Sequence, residues 1–299
     1  MKRCPALIAA LIALSLSSIG HTQTFEKIRT SGTVTLGVRD TSIPRSYYAD
    51  GMQPVGFHVD ICQHIVKAIQ KQLGMSKIDI RYQVVTSQNR IPLVQNGTVD
   101  LECGSTTNSL ARQKEVAFAL TTYLDETRMA VRTASNIRSL KDLAGKTVVM
   151  TTGTTSVQHF RRAVRAAGIE AREVLGKDHA DSFLLLESGR ADAWVLDSGL
   201  MSAMIANSKK PSDFSIVGET FATEPTAIMM RKDDAKLKSL VDNTIREMIR
   251  TGEMKALWAK WLEEPIPPKG VRLNMAPSAG IQRLWSEPND QPMESYTDK

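Results

Sequence analysis

The sequence predicts an α/β protein built as two lobes that share a cleft. Three observations carry this reading. At 299 residues the chain exceeds the size at which a single core keeps growing. From Val34 onward short apolar strands alternate with amphipathic helices, and this alternation restarts after the stretch Met129 to Arg132. Apolar residues make up 42% of the chain and the charges are mixed in sign, so burial suffices to fold it without metal or disulfide staples.

Before the alternation begins, Lys2 and Arg3 give a positive start, and Ala6 to Leu16 form an apolar run too short to span a bilayer. Residues 1–20 therefore read as a cleavable secretory signal, with small Ser18 and Gly20 at the cut. Val34 to Val38 is the first strand. Phe57, Ile61, Ile65, Ile69 and Leu73 recur on one helix face, and Ile78, Ile80, Tyr82 and Val84 alternate as a strand. Ile91 to Gln95 makes a short helix closed by Asn96-Gly97, and Val99 to Leu101 another strand. Such βα units predict a largely parallel sheet.

The second series runs Thr147 to Met150 (strand), Ser156 to Ala167 (helix, ended by Gly168), Ala193 to Leu196 (strand) and Ser198 to Asn207 (helix). Ala227 to Met230 and the helix Ala235 to Thr251 return the chain to the first lobe. Lobe one is thus expected over residues 21–123 plus 223–299 and lobe two over 124–222, with two crossings as a hinge. Trp258 and Trp261 read as packing anchors on a helix stopped by Pro265, Pro267 and Pro268, and the polar tail beyond wraps a lobe or frays.

Removing Lys2 and Arg3 takes the formal charge from +6 to +4, spread rather than clustered, and aromatics are only 5% of the chain. That excludes the basic, aromatic-interleaved stripe of a nucleic-acid binder. Cys62 and Cys103 remain after the signal. Export permits a disulfide between them, although the count does not establish one. No Cys/His cluster has metal spacing, and no cofactor is expected.

Polar residues collect where predicted strands end, the place for a binding crevice in open α/β sheets. The loops are Arg39 with Thr41 and Ser42, Ser87 to Arg90, Gly104 to Thr107 with Arg112, and Thr152 to Ser156. Guanidinium forks, hydroxyls and helix-start N–H groups together suit an anion. Singly, each has a plainer explanation: Thr154, Thr155 or Ser156 as a helix cap, a lone arginine as a solvated charge. Asp197 either caps the next helix or accepts a ligand ammonium. His179 either begins a helix at the surface or, beside a ligand carboxylate, is held protonated. Asp197 is the one carboxylate placed in the cleft, so a hydrolase or dehydratase is the minor alternative, and a ligand-sensing module another.

At these residues the chain resembles the glutamate/aspartate-binding proteins of the polar amino acid ABC transport family (solute-binding protein family 3). The resemblance covers nearly all of the mature chain. It rests on TSQNRIPLVQNGTVDLECGSTTN (Thr86 to Asn108), TTGTTS (Thr151 to Ser156), KDHADSF (Lys177 to Phe183), LESGRA (Leu186 to Ala191), RKDD (Arg231 to Asp234) and PIPPK (Pro265 to Lys269). It implies a type II periplasmic binding protein: a monomeric, non-enzymatic protein that closes on glutamate or aspartate and hands it to an inner-membrane permease. It further implies that Arg112 and Thr155 hold the α-carboxylate, that Ser105, Thr107 and Asp197 lie near the α-amino group, and that Arg39, Ser87, Arg90 and His179 receive the side-chain carboxylate. Two departures are expected to alter the cleft rim. Arg45 follows Pro44 where the family commonly has an apolar aromatic, and Glu224-Pro225-Thr226 replaces a segment that often carries one.

Overall fold

A computed structural model describes residues 23–296, so the expected signal at residues 1–20 lies outside the described residues. Helix α1 (Gln23–Ser31) leads into strand β1 (Thr33–Val38) and the hairpin β2 (Thr41–Ser42) and β3 (Ser46–Tyr47). Helix α2 (Phe57–Leu73) follows, because its apolar residues share one face: Phe57, Ile61, Ile65 and Ile69 are fully buried. Each contributes about 1.5–3 kcal/mol by leaving water. Gly74, left-handed at φ 64°, ends the helix by donating its N–H to the last carbonyls. Strand β4 (Asp79–Val84), helix α3 (Arg90–Gln95), strand β5 (Leu101–Glu102), helix α4 (Leu110–Gln113) and strand β6 (Val116–Phe118) complete the first pass.

Strand β7 (Tyr123–Arg132) then enters a second sheet with β8 (Thr147–Thr151), helix α5 (Thr155–Ala167), β9 (Arg172–Gly176), helix α6 (His179–Glu187), β10 (Ala193–Asp197), helix α7 (Ser198–Ala206) and β11 (Phe214–Thr226). The chain returns through β12 (Met229–Arg231), α8 (Ala235–Arg250), α9 (Glu253–Trp258), the hairpin β13 (Pro265–Ile266) and β14 (Val271–Arg272), and α10 (Ala279–Ser286).

The sheets have the orders β4-β1-β5-β12-β6 and β11-β7-β10-β8-β9. In the first, β1 pairs in parallel with β4 and β5, while β12 runs antiparallel to β5 and β6. In the second, β8 is parallel to β9 and β10, while β7 is antiparallel to β10 and β11. The expectation of a largely parallel sheet is therefore corrected: half the pairings are antiparallel. The βα crossovers supply the parallel pairs, and the strands that carry the chain between lobes supply the rest. The β7–β11 ladder extends from Tyr123 opposite Thr226 to Arg132 opposite Phe214, binding the two crossings to each other.

The strand expected at Val99 to Leu101 sits at Leu101–Glu102, because the Val99 N–H turns back to Leu93 O; Asp100 N–H makes the first bond to β1, at Thr35 O, and the parallel register runs from Leu101. In lobe one, Tyr123 stacks on Trp258 with ring centroids 5.1 Å apart, and Trp285 meets Trp258 edge-on at 5.9 Å. Ile281 and Leu284 of α10 are buried in the same core, so the tail wraps that lobe. A disulfide joins Cys62 on α2 to Cys103 after β5.

Candidate functional site

Strand ends bring the polar loops together between the sheets. Ser87, Arg90, Ser105, Thr107, Thr155, His179 and Asp197 line one narrow cavity, completed by Thr154, Leu196 and Leu200. Seven of the nine residues assigned from sequence are thus on its wall. Arg39 and Arg112 are not: Arg39 is wholly buried just past β1, and Arg112 on α4 donates to Thr107 O at 2.9 Å and to Gly153 O at 3.2 Å. The lobes touch here. A Cβ on Gly153, whose φ is +80°, would fall 2.8 Å from the Gln88 backbone, so only glycine permits both this turn and this approach.

The two ends of the cavity differ in one respect, hydrogen-bond satisfaction. At one end, Nε, Nη1 and Nη2 of Arg39, Nε and Nη1 of Arg90, Ser87 Oγ and His179 Nε2 are all buried without a hydrogen-bond partner. Folded proteins leave few such groups, because each costs its desolvation free energy. Burial and the neighbouring Arg90 guanidinium lower Arg39 to about 10, and burial lowers Arg90 as well. Both stay charged at neutral pH, and Glu102 on β5 opposes them from the protein side. His179 Nδ1 lies 3.0 Å from Thr151 Oγ1. Burial, then the charges of Arg39, Arg90 and Arg45, push this imidazole well below its ordinary value, so it is neutral rather than protonated. Two neighbouring guanidiniums with buried, unpartnered N–H groups make this end receptive to an anionic group.

At the other end the assigned hydroxyls and carboxylates find partners within the protein, although Arg45 Nε and Ser156 Oγ have none. Ser105 Oγ pairs with Ser42 Oγ at 3.3 Å. Thr107 and Thr155 both donate their hydroxyl protons to Glu224 Oε2, and Thr127 donates to Oε1 at 3.0 Å. His159 Nε2 lies 3.0 Å from the same Oε1, with Arg162 donating to its Nδ1 at 2.8 Å. Burial alone would raise Glu224, but His159, Thr107 and Thr155 hold it down at about 2. Asp197 does not cap α7. Its Oδ2 accepts from Arg45 Nη1 at 3.1 Å. The cap is supplied by Asp125, whose Oδ1 accepts from Ser198 Oγ at 2.8 Å and Gly199 N at 3.0 Å.

Arg45 and Glu224 are therefore not rim residues, and that expectation is corrected: both are 0% exposed. Arg45 can be buried because it bonds Asp125 as well as Asp197 and stacks 4.1 Å from the Tyr123 ring centroid. The readable signal was the substitution itself. A charge at a position where the family resemblance led to the expectation of an apolar aromatic requires a partner once buried, and Asp125 of β7 supplies one.

Residues 34–264 match the bacterial extracellular solute-binding proteins, family 3. The chain belongs to this family. Among its relatives, the L-glutamate/L-aspartate-binding protein of Pseudomonas aeruginosa is 41% identical over 290 residues, covering 97% of this chain and 96% of the relative. The glutamate/aspartate import solute-binding protein of Escherichia coli K12 is 39% identical over 286 residues, covering 96% and 95%. A solved structure, an ancestral arginine-binding protein bound to arginine, is similar with a TM-score of 0.69 at 28% identity, covering 77% of this chain and 98% of that one. The family-3 protein described here has the two-lobed α/β architecture of type II periplasmic amino-acid-binding proteins, and these relatives are named for binding. Among the described residues no cluster of three or more His, Cys, Asp or Glu could hold a metal, and no helix is long and apolar enough to cross a membrane.

Proposed function

We propose that this family-3 protein binds glutamate or aspartate in the periplasm, as a monomer without a cofactor, and delivers it to the permease of an ABC importer. The observation that carries the ligand is the set of unpaired polar atoms on Ser87, Arg90 and His179 of the cavity wall and on Arg39, whose guanidinium neighbours that of Arg90. A side-chain carboxylate accepts from all four residues and offsets the mutual repulsion of the two guanidiniums. A neutral amide leaves that repulsion between buried cations in place and accepts fewer of their N–H groups, at a cost of several kcal/mol in order of magnitude.

At the far end, Arg112 and the start of α5 hold the α-carboxylate. Thr154, the N-cap, makes no side-chain cap, so the first N–H groups of a 13-residue helix face an anion. Thr107 and Thr155 have given their protons to Glu224, so their hydroxyls can only accept, which suits the ammonium. Lobe one, carrying Arg39, Ser87 and Arg90, takes the ligand first. Thr155, His179 and Asp197 then close over it about the β7 and β11 crossings, with lobe boundaries near residues 123 and 223. Differential affinity for the closed state drives the motion, and no bond is broken.

Calorimetry of refolded, ligand-stripped protein against glutamate, aspartate, glutamine, asparagine and arginine tests the ligand. Tighter binding of an amide or of arginine than of both acids would sink the assignment.

A further inference from the structure

On the acidic-ligand reading, the family resemblance gives Asp197 to the ligand's ammonium. In this protein Asp197 already has a cation. Arg45 comes from lobe one and Asp197 from the end of β10 in lobe two, so the 3.1 Å bond between them spans the cleft where a ligand ammonium would sit. Arg45 is wholly buried and is fixed there by Asp125 and Tyr123. Where position 45 is apolar, a ligand lacking an ammonium leaves Asp197 buried and unpaired, and that penalty rejects it.

Here the guanidinium removes the penalty. Asp197 Oδ2 already accepts a charge-assisted hydrogen bond from Arg45 Nη1, so the acid makes little further demand for a cation. The other ammonium acceptors at this end, the Ser105 and Thr107 hydroxyls, are neutral and already hydrogen-bonded within the protein, so a missing ammonium strands no charge there.

We propose that Arg45 widens the ligand class of this cleft from acidic amino acids to dicarboxylates that carry no amino group. Both classes seat one carboxylate on Arg39, Ser87, Arg90 and His179 and the other on Arg112 and the start of α5.

The test is calorimetry of ligand-stripped wild type with L-glutamate and with glutarate, which has the same five-carbon chain and two carboxylates but no amino group. Wild type should bind glutarate within about thirtyfold of glutamate, less than the loss expected when a buried carboxylate is stranded. In Arg45→Met the glutarate-to-glutamate Kd ratio should rise by about a hundredfold, because Asp197 then pairs only with a ligand ammonium. Should that variant not fold once Asp125 loses its partner, Arg45→Met with Asp125→Asn gives the same comparison. Wild type that binds glutamate but discriminates against glutarate beyond that limit overturns the role of Arg45 and leaves the acidic-ligand reading standing. Wild type that binds neither overturns both, and a Kd ratio unmoved by the substitutions overturns the role of Arg45.

Discussion

Replacing Arg90 by methionine should stabilise the ligand-free protein and at the same time abolish tight binding of acidic ligands. Arg90 is 2% exposed, its Nε and Nη1 have no partner, and its charge opposes that of Arg39. Substituting a buried ion with unpartnered N–H groups by an apolar side chain of similar reach should therefore gain about 1–4 kcal/mol, the range found when buried ions give way to packed apolar groups. In a chain of this size each kcal/mol moves Tm by roughly 2–4 °C. The ligand carboxylate loses one of its two cations, at about 2–5 kcal/mol, which is roughly thirtyfold to several thousandfold in Kd. Glutamine, which brings no second carboxylate, should lose far less. Thermal unfolding of stripped protein and calorimetric titration read the two effects separately. A lower Tm with glutamate affinity within about threefold of wild type would show that Arg90 is a structural cation and refute the reasoning.

Arg112→Ala, in contrast, should weaken glutamate and glutamine by similar factors, since both present an α-carboxylate; a loss confined to glutamate would contradict the division of roles. Glu224 is held at about 2 against an ordinary 4.5, so its stabilisation is fully present above pH 4.5 and is lost as pH falls through 2, a contribution on the order of 3 kcal/mol. Denaturant unfolding at stepped pH should show a flatter acid limb in Glu224→Gln, and an unchanged limb would remove the carboxylate from the account. Gly153→Ala should push the lobes apart, weakening every ligand by about tenfold or more while each lobe stays folded, because both the +80° φ and the 2.8 Å approach to Gln88 reject a Cβ. Small-angle scattering should then show ligand failing to compact the protein. Reducing the Cys62–Cys103 disulfide, which closes 41 residues of chain, should cost about 4 kcal/mol in urea unfolding, and no change would place the constraint elsewhere.

Much of the fold was legible because periodicity is local. The face Phe57, Ile61, Ile65 and Ile69 and the glycine stop at Gly168 can be read residue by residue, and the structure places α2 and α5 there. Strand β9 was not legible: Arg172 to Gly176 leaves most of its side chains partly exposed, so no apolar alternation marks it. The antiparallel course of β7 and β11 depends on how the chain recrosses between lobes, which no window of residues records.

The site divides in the same way. Sequence by itself determined which residue types gather at the strand ends, because anion-seeking side chains are dictated by local chemistry; Ser87, Arg90 and His179 line one cavity with unpaired atoms, and Arg39, also with unpaired atoms, lies buried off its wall. Only the tertiary structure decided that the other end is filled from within. Arg45 meets Asp125 and Asp197 across 80 and 152 residues of chain, and Glu224 gathers Thr107 and Thr155 across 117 and 69. Whether such a charge lies at a rim or in a core depends on partners that distant, and pairing at that range leaves no period in the sequence.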